Sequence, residues 1–177
     1  TAPAAGKVLG VYRGERRALQ SVVIELNERE KAGTPSDEDY RSFESYTGKE
    51  ADELSADDVR ALLQESGLWT AIRSRPFSRV AATDGSPKSV FITAMDTNPH
   101  APSIEVALAG REEDFSAGVV ALSKLTEGKT YLCRSPFTKV GQGIQGVSIE
   151  EFKGPHPSGL AGTHIHMLDP VDRKKVV

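Results

Sequence analysis

At 177 residues, 38% hydrophobic and 27% charged, the chain can bury one good core, or one core with a small appended piece, but not two full-sized domains. Its formal net charge of -3 gives no basic footprint for phosphate backbones, which argues against nucleic acid as a partner. The longest apolar runs, such as Val22–Ile24 and Val90–Ile92, are strand-sized against the roughly 18 residues that a membrane span needs. No direct span is expected, so any membrane attachment runs through other chains or other parts of this one.

A lone Cys133 within Thr130-Tyr131-Leu132-Cys133 reads as a reduced thiol on a buried strand, which points to a cytoplasmic setting. The opening TAPAAGK has no initiator Met or signal block and the closing RKKVV has no closing element, so both ends are expected to be cut.

From Pro3 to Leu26 the pattern is a turn, a short apolar run (VLGVY), a polar turn (RGERR) and a second run (SVVIEL), which predicts a hairpin. Two strands are marginal in water, so residues 1 to 33 are expected to form the second half of a small β-sandwich whose other half lies upstream. Residues 34 to 177 are expected to form an α/β domain.

From Asn27 to Gly67 the chain turns polar and helical. Ser36 with Asp39, and Ser55 with Asp58, match the Ser-x-x-Asp capping signature, and Val59, Leu62 and Leu63 share a face. Gly48 and Gly67 read as helix stops. Next come a strand-like SVFITAM ending at Asp96-Thr97-Asn98-Pro99, a helix with Phe115, Val119, Leu122 and Leu125 on one stripe, and a stop at Gly128. The strand TYLC follows at once. Strand, helix, strand in this spacing predicts a βαβ unit on a parallel sheet, with a further strand in VSIEEF.

Four constellations bear on function. GQGIQG, Gly141 to Gly146, has the letters of a dinucleotide fingerprint but precedes a strand instead of opening a helix, so it reads as a flexible glycine loop. His164 and His166, two apart, face one way if the segment is extended and could share a metal with His156 or Asp169. The alternative is that they hydrogen-bond a turn rich in Gly and Pro into place, and no metal site is expected. Asp96 and Asn98 sit just past a strand end, where open α/β sheets place ligand contacts, and Asp-x-Asn-Pro is equally a turn former. Asp96, Asn98, His156, His164 and His166 together form a candidate ligand loop. In SGLWTAIRSRPFSR, Arg73, Arg75 and Arg79 surround Pro76 and Phe77 with Trp69 nearby. Arginine forks beside aromatics suit a planar or anionic partner such as a quinone head group, a phosphate or an acidic protein face; a solvated basic loop over a Trp69/Phe77 core is the alternative. No nucleophile with a base can be assembled around the four histidines, so no catalytic residue is assigned.

Taken in order, TAPAAGKV, RALQSVVIE, SGLWTAIRSRPFS, VFITAMDTNP, LSKLTEGKTYLC and GPHPSGLAGTHIHMLDPV resemble successive blocks of the A subunit of the bacterial sodium-translocating NADH:quinone oxidoreductase. Met167 stands where that pattern has an aromatic. The resemblance implies a peripheral subunit on the cytoplasmic face of the bacterial inner membrane. Its complex passes electrons from NADH to ubiquinone and exports sodium, and its other subunits would be this chain's partners. It also implies a lipoyl- or biotinyl-like barrel-sandwich hybrid at the start, then a Rossmann-like three-layer domain related to the flavoprotein subunit of respiratory complex I.

In that relative a glycine-rich loop after the same Ser-Gly-Leu helix end approaches the flavin phosphate. Here WTAIRSRPFSR puts side chains where glycines are needed, so flavin and NADH are not expected to bind, and no cofactor is expected in this stretch. The expectation is a structural or quinone-side piece of an oxidoreductase, with Trp69, Arg73, Arg75, Phe77 and Arg79 meeting ubiquinone or another protein of the complex. A flavin- or NADH-binding module is the alternative.

Overall fold

Two apolar runs separated by a polar turn form the expected hairpin: β1 (Gly6–Arg13) pairs antiparallel with β2 (Leu19–Leu26). This is seen in a computed structural model that describes residues 2–171 and Val177, so most of the RKKVV end lies outside the described residues. The chain divides into two units, Thr1–Glu44 and Ser45–Val177.

In the first unit the ribbon carries large apolar side chains on both faces, Val8, Val11, Tyr12 and Leu19 among them, each more than half exposed. Asn27 then caps a short helix, α1 (Glu28–Ala32), by accepting from the Glu30 amide at 2.8 Å, and Gly33 at φ 69 ends it. The Ser36–Asp39 signature closes only a single 3-10 turn, not the expected helix. Its carboxylate is taken by the Arg29 guanidinium at 2.7 and 2.8 Å and by the Ser36 amide at 2.9 Å, which hold Asp39 well below the usual carboxylate range.

The second unit contains the capping box that the sequence announces. Ser55 accepts from the Asp58 amide at 3.1 Å while Asp58 accepts from the Ser55 amide at 3.1 Å, starting α2 (Ala56–Ser66), which stops at Gly67 with φ 82. Gly48 has a positive φ of 72 but follows no helix, so it is a turn residue and not the stop expected. Val59 of α2 packs with Trp69 and Leu125, with Leu63, Val90 and Leu122 around them.

A small antiparallel pair comes next, β3 (Arg73–Ser74) with β4 (Arg79–Val80). After it, β5 (Ser89–Ala94), β6 (Lys129–Arg134) and β7 (Ser148–Glu151) form a parallel sheet in the order β5-β6-β7. The expected helix crosses from β5 to β6 as α4 (Glu112–Ser123), preceded by a short α3 (Ile104–Leu108) that the sequence reading did not assign. Helix α4 ends at Ser123, so Gly128 is not its stop. Gly128 serves a closer constraint: a Cβ there would lie 1.9 Å from the Lys88 carbonyl oxygen. β6 is the buried centre, with Thr130 to Cys133 all inside. Burial, and then the nearby Glu150, push the Cys133 thiol up to about 12.

The histidine segment departs most from the expectation. It is not extended: Ala161–Leu168 form α5, whose contacts lie against β5. Two residues on a helix are about 200° apart, so His164 points inward and is fully buried while His166 is exposed on the other side. The His164 Nε2–H donates to the Ser158 carbonyl at 2.8 Å and its ring lies 4.2 Å from that of Phe152. Its Nδ1 is buried without a partner among the described residues. At the other end of α5, Asp169 accepts from Lys88 and, at 2.9 Å, from Ser89, tying the helix to the start of β5.

Two outcomes follow for stability. Gly118, in α4 with open space around its α-carbon, should gain about 0.5–1 kcal/mol as Gly118→Ala, whereas Gly128→Ala should lose about 2 kcal/mol or more, both read by urea unfolding. Burial lowers the His164 pKa below its ordinary 6.5, so the unfolded chain takes up the proton first. This contribution to stability is present above pH 6.5 and is lost as pH falls through and below that value. Unfolding free energy measured from about pH 7.5 down to about 5 should fall more steeply in the wild type than in His164→Gln.

Candidate functional site

Parallel strands leave their carboxyl ends on one edge of the sheet, and chain leaving those ends must turn over it. Here Met95 to Asn98 leave β5, Ser135 to Thr138 leave β6 and Phe152 to Gly154 leave β7. Between them and α3 lie two adjoining hollows of about 360 and 340 Å³, which share Met95, Asp96, Pro102 and Ile104. The first is closed by Gly159 and Leu160, the second by Phe137, Phe152 and Lys153.

Asp96 lies just past the end of β5, the position read from the sequence, and lines both hollows. One carboxylate oxygen accepts from the Asn98 backbone amide at 2.8 Å and from the Asn98 side chain at 2.7 Å. The Asp-x-Asn turn and the position past the strand end are therefore one feature, not alternatives. Thr97 reaches the opposite wall: its hydroxyl accepts from the Gly159 amide at 3.0 Å and lies 3.3 Å from His156 Nδ1. A Cβ on Gly159 would stand 2.7 Å from the Thr97 nitrogen, so only glycine permits this approach. His164 lines neither hollow but braces both, through Ser158 beside Gly159 and through Phe152. Asp96 and Asn98 thus line the cleft, His156 lies outside both hollows and meets them only through Thr97, His164 supports them from within, and His166 faces away.

The histidines do not converge on a shared metal position, and no group of three or more His, Cys, Asp or Glu comes together among the described residues. The GQGIQG glycines make turns ahead of β7, as the sequence indicated. Gly141, at φ 76, also lies where a Cβ would meet Leu132 at 2.0 Å.

The arginine-aromatic segment is elsewhere. Arg73 pairs with Val80 and Ser74 with Arg79, leaving Arg75-Pro76-Phe77-Ser78 as a four-residue tip. Phe77 is 67% exposed and the Arg79 guanidinium lies 5.8 Å from its ring centroid. Arg73 and Arg79 are exposed, while Arg75 is half-buried and its amide donates to the Val177 carbonyl at 2.7 Å.

Trp69 does not belong to that surface. It is buried, and its indole N–H donates to the Ala81 carbonyl at 2.8 Å, rooting the hairpin in the core. That core touches Val90 at the start of β5 and Leu125 just before β6, at the amino ends of the strands. The hairpin's root and the cleft are therefore separated by the length of β5, roughly 17–20 Å at the usual rise. Neither hollow is lined by Trp69, Arg73, Arg75, Phe77 or Arg79.

The sequence reading missed Ile104, Phe137, Phe152 and Lys153 as cleft residues. Of these, only Ile104 carried a local signal: Ser103 accepts from the Glu105 amide at 3.3 Å, an N-cap that Pro102-Ser103-Ile104-Glu105 announces.

Comparison with known proteins matches residues 54–177 to the family model described as NqrA second alpha/beta domain. The chain is 45% identical over 178 residues to the A subunit of the Na(+)-translocating NADH-quinone reductase of Pasteurella multocida (strain Pm70), covering 100% of this chain and 38% of that protein. It is 48% identical to the corresponding protein of Marinomonas sp. (strain MWYL1), again over 100% of this chain and 38% of the relative. With that of Shewanella amazonensis (strain ATCC BAA-1098 / SB2B) the figures are 45%, 100% and 37%. The chain thus spans well under half the length of these curated relatives. The parallel sheet, its cleft and the arginine hairpin all lie within the matched residues, and the chain belongs to the NqrA family, the A subunits of the Na(+)-translocating NADH-quinone reductases.

Proposed function

We propose that this chain is a docking and scaffolding part of NqrA in a membrane redox complex that passes electrons from NADH to ubiquinone and exports sodium. It carries neither the NADH nor the flavin site. The names of its relatives support membership of such a complex, and among the described residues no helix is long and apolar enough to cross a membrane. We place it peripherally, on the cytoplasmic face, held by other subunits. The three-stranded parallel sheet is read as the centre of a Rossmann-like domain from residue 34 onward. The apolar two-sided ribbon before it is read as part of a barrel-sandwich hybrid.

One observation carries the docking role: Phe77 projects from a two-stranded hairpin, 67% exposed, with an arginine against its ring and a second exposed arginine at the hairpin's base. An aromatic ring and arginines on a protruding tip fit an apolar socket rimmed by carboxylates on a partner protein. The same ring and guanidinium groups could instead stack on a ubiquinone head group, which is the quinone-side reading of this surface. A flavin- or NADH-binding module is less well supported. The position that would need a phosphate-approaching glycine loop is taken by Trp69 and the hairpin, and the Gly141–Gly146 loop opens a strand.

The two readings separate in the assembled complex. With Phe77→Ala and Arg79→Ala in the full-length protein, docking predicts at least about a 30-fold loss of affinity for the other subunits, as for an interface hot spot, read by co-purification. An intact complex whose KM for a ubiquinone analogue rises assigns the tip to quinone. An intact complex with unchanged turnover and KM overturns both. Heat stabilisation of the chain by FMN or NADH would support the binding-module reading instead.

A further inference from the structure

We infer that the cleft at the carboxyl ends of β5, β6 and β7 takes an unphosphorylated aromatic ring bearing a hydroxyl or amino donor. This does not depend on the docking role of the hairpin, which lies at the other end of the strands.

The two adjoining hollows, about 360 and 340 Å³ and open to solvent, have room for one or two rings. Their walls supply apolar and aromatic surface from Met95, Ile104, Phe137 and Phe152, which suits a flat ring and a sulfur–ring contact. Two of the walls are held in place, Gly159 against Thr97 on one side and Phe152 against the buried His164 ring on the other, while Phe137, 76% exposed, stands at the rim.

The polar groups select the ligand's chemistry. Asp96 directs one oxygen to Asn98, and its other oxygen has no partner among the described residues, leaving an acceptor at the mouth. Glu105 adds a second carboxylate, one of whose oxygens accepts from the Ser103 hydroxyl at 3.3 Å. Against these two carboxylates the lining has one ammonium, Lys153, which sits 5.2 Å from the centroid of the Phe137 ring. A phosphate brought here would meet two carboxylates against one ammonium, and the start of α5, which Gly159 and Leu160 bring to the first hollow, adds only about half a positive charge. The Glu105 amide near the start of α3 is already capped by Ser103. A hydroxyl or amino group on a ring instead meets the open Asp96 oxygen with the ring against the phenylalanines. The site therefore occupies the usual nucleotide position of an α/β sheet while excluding nucleotides by charge.

The test uses the full-length protein, ²H,¹⁵N-labelled, titrated separately with tyramine, phenol, benzoate and phenyl phosphate and followed by amide chemical shifts. Tyramine should give saturable shifts centred on Met95–Asn98 and Phe137–Thr138, and phenol weaker ones at the same amides. Phenyl phosphate and benzoate should bind at least about ten-fold more weakly than tyramine. Asp96→Asn, which keeps an oxygen for the Asn98 donors, should weaken tyramine by about ten-fold, the scale of one charge-assisted hydrogen bond. Glu105→Gln should weaken it to a smaller extent, and Phe77→Ala should leave it unchanged. The inference is overturned by any of three results: no saturable shift by about 10 mM tyramine, a concentration that reports Kd values near millimolar; phenyl phosphate binding as well as tyramine; or affinity indifferent to both Asp96→Asn and Glu105→Gln.

Discussion

Everything in the larger unit is arranged around the burial of β6. Thr130, Tyr131, Leu132 and Cys133 are all enclosed, and a strand closed on both sides can be approached by its neighbours only where side chains are small. Gly128 lets the chain pass within contact of the Lys88 carbonyl as it enters the strand, and Gly141 lets the following loop fold back onto Leu132. With β6 held in the middle, β5 and β7 pair with it in parallel, and Tyr131 of β6 stacks on Phe91 of β5 at 4.7 Å. Direction is the consequence that matters: all three strands end on the same edge.

That polarity separates two surfaces of different character. At the amino ends, Trp69 fastens a short hairpin to the core and leaves Phe77 and two arginines outward, a convex feature with nothing to enclose a small molecule. At the carboxyl ends the loops lean over a concave space with carboxylates at its mouth and aromatic rings in its wall. Helix α5 spans between them, held at its start through the Gly159–Thr97 contact and at its end through Asp169 on Lys88 and Ser89. A convex tip suits a macromolecular partner, and a hollow suits a small one, so one rigid sheet can serve both without either surface disturbing the other.

What could be read in the sequence was local. The Ser55–Asp58 box, the glycine after α2, the apolar runs of β5 and β6 and the stripe through Val119 and Leu122 are short-range patterns, and each has its counterpart in the fold. Where local signals conflicted with tertiary packing, packing won. The run from Gly154 to Gly162 is dense in glycine and proline and reads as a fixed turn, yet burial of His164 and Ile165 draws Ala161–Leu168 into a helix. The two histidines part company for that reason. The arginine-aromatic cluster was legible because its members are adjacent in sequence. The cleft was legible only at Asp96 and Asn98, since Ile104, Phe137 and Phe152 are joined to them by strand direction and not by spacing.

The central claim, that the hairpin Arg73–Val80 is a protein-docking surface, is tested most directly by irradiating the assembled complex with a photoreactive benzoyl-phenylalanine at position 77 of the full-length protein. The same group at Val106, an exposed residue of α3, serves as the comparison. The account predicts a covalent adduct from position 77 to one other protein of the complex, at an apolar site flanked by acidic residues, and none from position 106. Adducts absent at position 77, or equally abundant from both positions, would contradict it.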